Sequence, residues 1–144
     1  MKLTYVFPLF LLTGCALAPL TQDQLTSMPL LEAYSDYGYH RNASGTLCND
    51  AGNYLYDEET RISIYKEIEK RVSKKEYQQI LSGKLTIGMT ERALACSMRG
   101  YAKTINVTTT KYGTSKQHVY GDVLSTSGAT YVYTENGIVT TIQD

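Results

Sequence analysis

Side chains able to do covalent or metal chemistry are few in this chain of 144 residues, and they are widely spaced. They are Cys15, Cys48 and Cys96, the histidines His40 and His118, and a short acidic run at Asp57, Glu58 and Glu59. Nucleophilic catalysis needs a Ser or Cys beside a base that a third group orients. No Gly-X-Ser-X-Gly elbow, His-Glu-X-X-His, Walker loop or dinucleotide fingerprint is present. A zinc site drawn from Cys48, Cys96, His40 and His118 would lack the local ligand pair that structural zinc sites use. The acidic run reads as a helix start, where the helix dipole favours negative charge. His118 stands in strand alternation beside Val119. The sequence therefore offers no catalytic constellation and implies no metal and no cofactor; the expected role is binding.

Cys15 invites a different chemistry. It follows Leu12-Thr13-Gly14, and upstream stand Met1-Lys2 and an apolar segment from Leu3 to Leu12, interrupted by Thr4 and Pro8. A segment of that length rises about 15 Å as a helix, half of a hydrocarbon core of about 30 Å, so it is too short to span. A positive start, a short apolar stretch and small residues at the exit describe an export signal. Leu-Thr-Gly-Cys resembles a bacterial lipobox, in which the cysteine thiol receives a diacylglyceryl group and the leader is cut just before it. The expectation is a signal over 1–14 and lipidation at Cys15. Ala16, where Asp would retain the protein, favours the outer membrane by the enterobacterial sorting rule. The chain is then expected on the outer membrane, held by lipid through Cys15 and facing the periplasm. Export also places Cys48 and Cys96 in an oxidising compartment, where the remaining pair has reason to join. The alternative is a buried Cys96 and a free Cys48 thiol.

These residues must be positioned by the elements around them. Lys and Arg balance Asp and Glu at fourteen each, and Lys2 leaves with the leader. That balance argues against nucleic acid as partner, since phosphate binding needs a concentrated basic face. Lys66 to Lys75 is interrupted by Glu67 and Glu69, as on a solvated helix face. Residues 16–28 carry Pro19 and no periodic apolar pattern, so 15–28 reads as a lipidated tether. A helical region over 29–83 follows. Pro29, Leu30, Leu31, Tyr34 and Gly38 outline a short helix, and the Gly/Asn-rich stretch after it reads as loop. Residues 57–72 form the strongest helix signal, with Ile62, Tyr65, Ile68 and Val72 as its stripe. Ser73 and Glu76 match a capping box that opens a second helix, with Tyr77, Ile80 and Leu81 on its apolar face and Gly83 as its stop.

The remaining region, 84–144, begins with Gly88, Met89 and Thr90, the last as cap for a short helix carrying Leu94 and Met98 and ending at Gly100. The period then changes to two. "TINVTTT", "KQHVYGDV", "TYVYTE" and "IVTTI" read as strands. Asn136-Gly137 is the sharpest hairpin signal, because a type I′ turn needs positive φ at both central residues; Tyr112-Gly113 and the Ser/Gly run 125–128 mark the other turns. The expected fold class is α+β, with short helices packed on one face of a three- to four-stranded antiparallel meander sheet.

"LTIGMTERALACSMRGYAKTINVTTTKYGTSKQHVY" followed by "TYVYTENGIVTTIQ" resembles the small outer-membrane lipoproteins of the BamE-like (SmpA/OmlA) type. The likeness covers residues 84–143 and is carried by Ile87 to Thr90, Gly100, His118 to Tyr120, and Tyr133 to Val139 with its Asn136-Gly137 turn. It implies helices on one face of an antiparallel sheet and a part in outer-membrane assembly. Residues 29–82 resemble the additional N-terminal region of other lipoproteins that share this end domain. The chain is rich in tyrosine and lacks tryptophan, and Tyr120, Tyr131 and Tyr133 are the candidate interaction surface. The expected function is a non-catalytic interaction or envelope-assembly accessory with an envelope protein as partner. The alternative is an inhibitor or surface-exclusion-type lipoprotein that uses the sheet to block a partner protein.

Overall fold

Period-two alternation after residue 103 produces four strands: β1 (Thr104–Thr110), β2 (Gly113–Gly121), β3 (Ala129–Glu135) and β4 (Ile138–Gln143). They form one antiparallel sheet in the order β1-β2-β3-β4. The computed structural model describes residues 16–31, 45–99, 102–121 and 128–144. The expected signal, Cys15, His40, Gly100 and most of the 125–128 turn lie outside the described residues. Between β3 and β4, Asn136 and Gly137 have φ of 49° and 83°, the positive values a type I′ turn demands.

Five helices are described before the sheet: α1 (Gln22–Ser27), α2 (Leu47–Asp50), α3 (Glu58–Arg71), α4 (Lys74–Ser82) and α5 (Glu91–Ser97). The architecture is α+β, helices against a meander sheet. Local signals explain the ends. Asp57 caps α3 by accepting from the Thr60 amide at 2.7 Å, Ser73 and Glu76 form the capping box of α4, and Gly83 stops α4 at φ 60°. Thr90 caps α5, accepting from the Ala93 amide at 3.1 Å. Where α5 ends, Arg99 is left-handed, with φ 58°.

Directly opposed residues of paired strands share a face. Lys116, His118 and Tyr120 of β2 oppose Thr134, Val132 and Thr130 of β3, and Ile142 and Val139 of β4 oppose Val132 and Thr134. This is the inner face. Val132, Thr134 and Val139 are fully buried there, and Val132 and Val139 join Met89, Ala93 and Leu94 in one core that runs on to Ile80, Ile68, Ile64, Leu47 and Leu25. Each Val, Leu, Ile or Met among them contributes about 1.5–3 kcal/mol by leaving water.

Four expectations need correction. The buried side of α3 is Thr60, Ile64, Glu67 and Ile68; Ile62 is 47% exposed, because α1 and α2 pack against the Ile64/Ile68 row. Leu81 of α4 is likewise exposed. Residues 16–28 are not a free tether. Thr21 and Gln24 form a reciprocal capping box, Leu25 enters the core, and the Leu17 amide donates to the Leu55 carbonyl at 3.0 Å. Of the helix expected from Pro29, only Pro29–Leu31 are described; they do not form helix, and the Pro29 and Leu30 carbonyls accept from the Leu47 and Cys48 amides.

Candidate functional site

A two-faced sheet divides its polar side chains into a buried set and an open set. On the inner face, Thr134 donates to Glu91 Oε1 at 2.6 Å and lies 3.2 Å from His118 Nε2. Lys116 Nζ meets Glu91 Oε2 at 2.6 Å. Glu91 is the first residue of α5, so one helix start delivers a carboxylate to the sheet. Since the Thr134 hydroxyl proton goes to Glu91, His118 Nε2 serves as the donor to Thr134. Burial lowers the His118 pKa below its ordinary value, with the Glu91 charge opposing that shift. For Glu91, burial acts upward, but hydrogen bonds from Lys116 and Thr134 outweigh it and hold the carboxyl below its usual range. The same burial, aided by Glu91, raises the Tyr120 phenol. The network joins α5 to β2 and β3.

Glu76 makes a second node. Its carboxylate accepts from the Ser73 amide and hydroxyl, from the Thr90 hydroxyl at 2.7 Å and from the Arg92 guanidinium at 2.8 Å. Arg92 is the largest cause of a pKa held down at about 2. Cys48 and Cys96 form a disulfide, with Cα atoms 4.7 Å apart, inside the range that native bridges use. The bridge ties α2 to α5 and consumes both thiols, so the four-residue zinc set is not available. Among the described residues, no three His, Cys, Asp or Glu side chains are grouped to hold a metal. A cleft of about 270 Å³ opens beside the bridge, lined by Tyr65, Ile68, Ile80, Leu81, Ser97 and Arg99 among others.

The outer face is different in kind. Tyr131 and Tyr133 of β3 oppose Val119 and Gln117 of β2, and Gln117 opposes Asn106 of β1. Asn106 donates its amide to Gln117 Oε1 at 2.8 Å, and Gln117 donates to Tyr133 Oη at 2.8 Å. Both tyrosines are half-buried, and Val119 is covered between its neighbours. The helices lie on the other side of the sheet.

Tyr120 does not belong to this surface. It is 8% exposed and faces the core, because its strand position matches His118, not Val119. Gly88 takes φ 85° and leads to fully buried Met89. The pair guards one sheet edge: the Gly88 amide donates to the Val139 carbonyl, and the Val139 amide to the Met89 carbonyl, each at 2.8 Å. Sequence reasoning missed Glu91 and Thr134 as neighbours of His118, and Lys116 as the partner of Glu91; the Lys-X-His-X-Tyr alternation of β2 was the available signal. Comparison with family models, with curated proteins and with solved structures gives no match.

Proposed function

We propose that this chain is an outer-membrane lipoprotein, anchored by lipid on Cys15, whose periplasm-facing α+β domain acts as a non-catalytic interaction or envelope-assembly accessory. The outer sheet face carries the reading. It presents Tyr131 and Tyr133 in a surface that no helix of the described residues occupies, while the helical layer packs on the opposite face. Tyrosine supplies large contact area with a polar tip and few torsions to freeze. Gln117 fixes the Tyr133 hydroxyl through a bond at 2.8 Å, so part of the ordering cost of binding is already met. The anchor rests on the Leu12-Thr13-Gly14-Cys15 sequence with Ala16 behind it, and the assembly role on the resemblance of residues 84–143. No helix of the described residues is long and apolar enough to cross a membrane.

Affinity capture from detergent-solubilised membranes tests the reading. Envelope or barrel-assembly proteins should be recovered with the wild type and lost with the Tyr131→Ala/Tyr133→Ala variant. A foreign enzyme as the stable partner would support the inhibitor reading in its place. Capture unaffected by the double substitution would show that the tyrosine face is not the binding surface. For the anchor, Cys15→Ser should remove the acyl mass and leave the protein either uncleaved or soluble; a variant processed and fractionating like the wild type would overturn the lipobox reading.

A further inference from the structure

The proposed anchor and the folded domain are nearly contiguous. Leu17 is tied by its amide to the Leu55 carbonyl at 3.0 Å, two positions after Cys15. Two residues reach at most about 7 Å, close to the depth of one headgroup layer, about 5–8 Å. No slack follows Leu17 either. Arg71 donates to the Met28, Leu25 and Thr26 carbonyls at 2.6, 3.0 and 2.9 Å, clamping the end of α1 onto α3. Glu67 holds that guanidinium in turn, at 2.8 and 3.0 Å.

The corner so placed is apolar and exposed among the described residues. Leu17 and Leu55 are 40% and 38% exposed, and Tyr54 is 86% exposed. Tyr54 and Leu55 sit in the turn between α2 and α3, where the Leu55 amide is fixed on Asn53 Oδ1 at 3.0 Å. Leu17 and Leu55 meet through that backbone bond, with Tyr54 next to Leu55 in the chain, and exposed apolar side chains beside the proposed lipid attachment point have the chemistry of an interfacial anchor. Tyrosine belongs at headgroup level, where its ring is half-solvated and its hydroxyl stays wet. After Tyr56 the chain continues with Asp57, Glu58 and Glu59, so the surface suits zwitterionic headgroups and is repelled by anionic ones.

We infer that Leu17, Tyr54 and Leu55 form a membrane-contact surface that seats the domain on the headgroup layer of a zwitterionic bilayer. The inference rests on the lipid anchor proposed above. The domain does not trail on a tether; it rides on the lipid with a fixed corner down.

Tryptophan fluorescence reads this directly, because the chain has no tryptophan of its own. Tyr54→Trp places one fluorophore in the corner. Tyr112→Trp places the reference in the exposed β1–β2 turn, where Tyr112 is 83% exposed. Each full-length variant, expressed with its leader and purified from membranes, is reconstituted into phosphatidylcholine vesicles with bromine on the upper acyl carbons. Intact mass on the same samples reports acylation of Cys15. On acylated protein, quenching at position 54 should exceed that at 112 by threefold or more. Equal quenching at the two positions in acylated protein would overturn the contact surface and leave the anchor standing. Protein lacking acyl mass at Cys15 would overturn the anchor, and this inference with it.

Discussion

Glu76→Gln tests how α4 and α5 are held together. The Glu76 carboxylate is the common acceptor for Ser73 on its own helix and for Thr90 and Arg92 at the start of α5. Glutamine keeps the shape but loses the charge and turns an N–H₂ group toward a cation. The Arg92 bonds, with those from Ser73 and Thr90, hold the carboxyl pKa at about 2 against an ordinary 4.5. A depressed carboxyl pKa stabilises the fold above the unfolded value, and that stability is lost as pH falls from about 4.5 toward about 2. A shift of this size corresponds to about 3 kcal/mol. Arg92 is 48% exposed, so solvent screening reduces the figure to about 1.5–2 kcal/mol. For a domain of this size that lowers the melting temperature by about 4–8 °C. Thermal and urea unfolding should be followed at pH 7 and at pH 2.5, with the disulfide intact. The variant should be the less stable at pH 7, and the gap should shrink to a small fraction at pH 2.5. A gap absent at pH 7, or undiminished at pH 2.5, would refute the reasoning.

Three further outcomes follow from the same contacts. The Cys48–Cys96 bridge spans a sequence separation of 48, and loop-closure entropy for such a span is worth about 4 kcal/mol; Cys48→Ala with Cys96→Ala should lower the melting temperature by about 10 °C or more, and an unchanged melt would contradict a formed bridge. Gly137 has φ 83° with no atom within 4 Å of an added Cβ, so the cost of Gly137→Ala is conformational, about 1–2 kcal/mol, and Gly137→Asn should recover part of it in denaturant melts. His118 is held neutral by burial, so its contribution is present above its unfolded pKa of about 6.5 and is lost as pH falls through the lower folded value; an imidazole titration by NMR with a midpoint above 6.5 would contradict this.

The parts of the fold that were legible are those whose causes lie within four positions. Asp57, Ser73 with Glu76, Gly83 and Asn136-Gly137 each act on neighbours, and each does what its local chemistry implies. The Thr21–Gln24 capping box was equally local, but Leu25 is the only residue of α1 buried in the core, and a lone apolar position sets up no period. The choice of sheet face was not legible. In His118-Val119-Tyr120, alternation favours the apolar residue as the inward one. Instead His118 and Tyr120 point inward, because pairing with Val132 and Thr130 decides the matter. Glu76 could be read as a cap, but its bonds to Thr90 and Arg92 reach 14 and 16 positions along the chain. Sequence spacing does not encode that distance.

Three carboxylates explain why such short helices hold a fixed arrangement. Glu67 orients Arg71, which secures α1; Glu76 takes Arg92, joining α4 to α5; Glu91 takes Lys116 and Thr134, joining α5 to the sheet. Helices of six, four and seven residues, as α1, α2 and α5 are, cannot persist alone in water. Each is instead tied to a neighbour by an ion pair, a guanidinium on carbonyl oxygens, or, for α2, the disulfide to α5. Partly buried ion pairs such as these penalise every arrangement that leaves the covered partner unpaired. Apart from the Ser97 hydroxyl, which is buried without a hydrogen-bond partner among the described residues, these polar groups are thus committed to one another and to position. Tyr131 and Tyr133 on the outer sheet face, and the Leu17/Tyr54/Leu55 corner, take no part in these ion pairs, and they are the two surfaces proposed for binding.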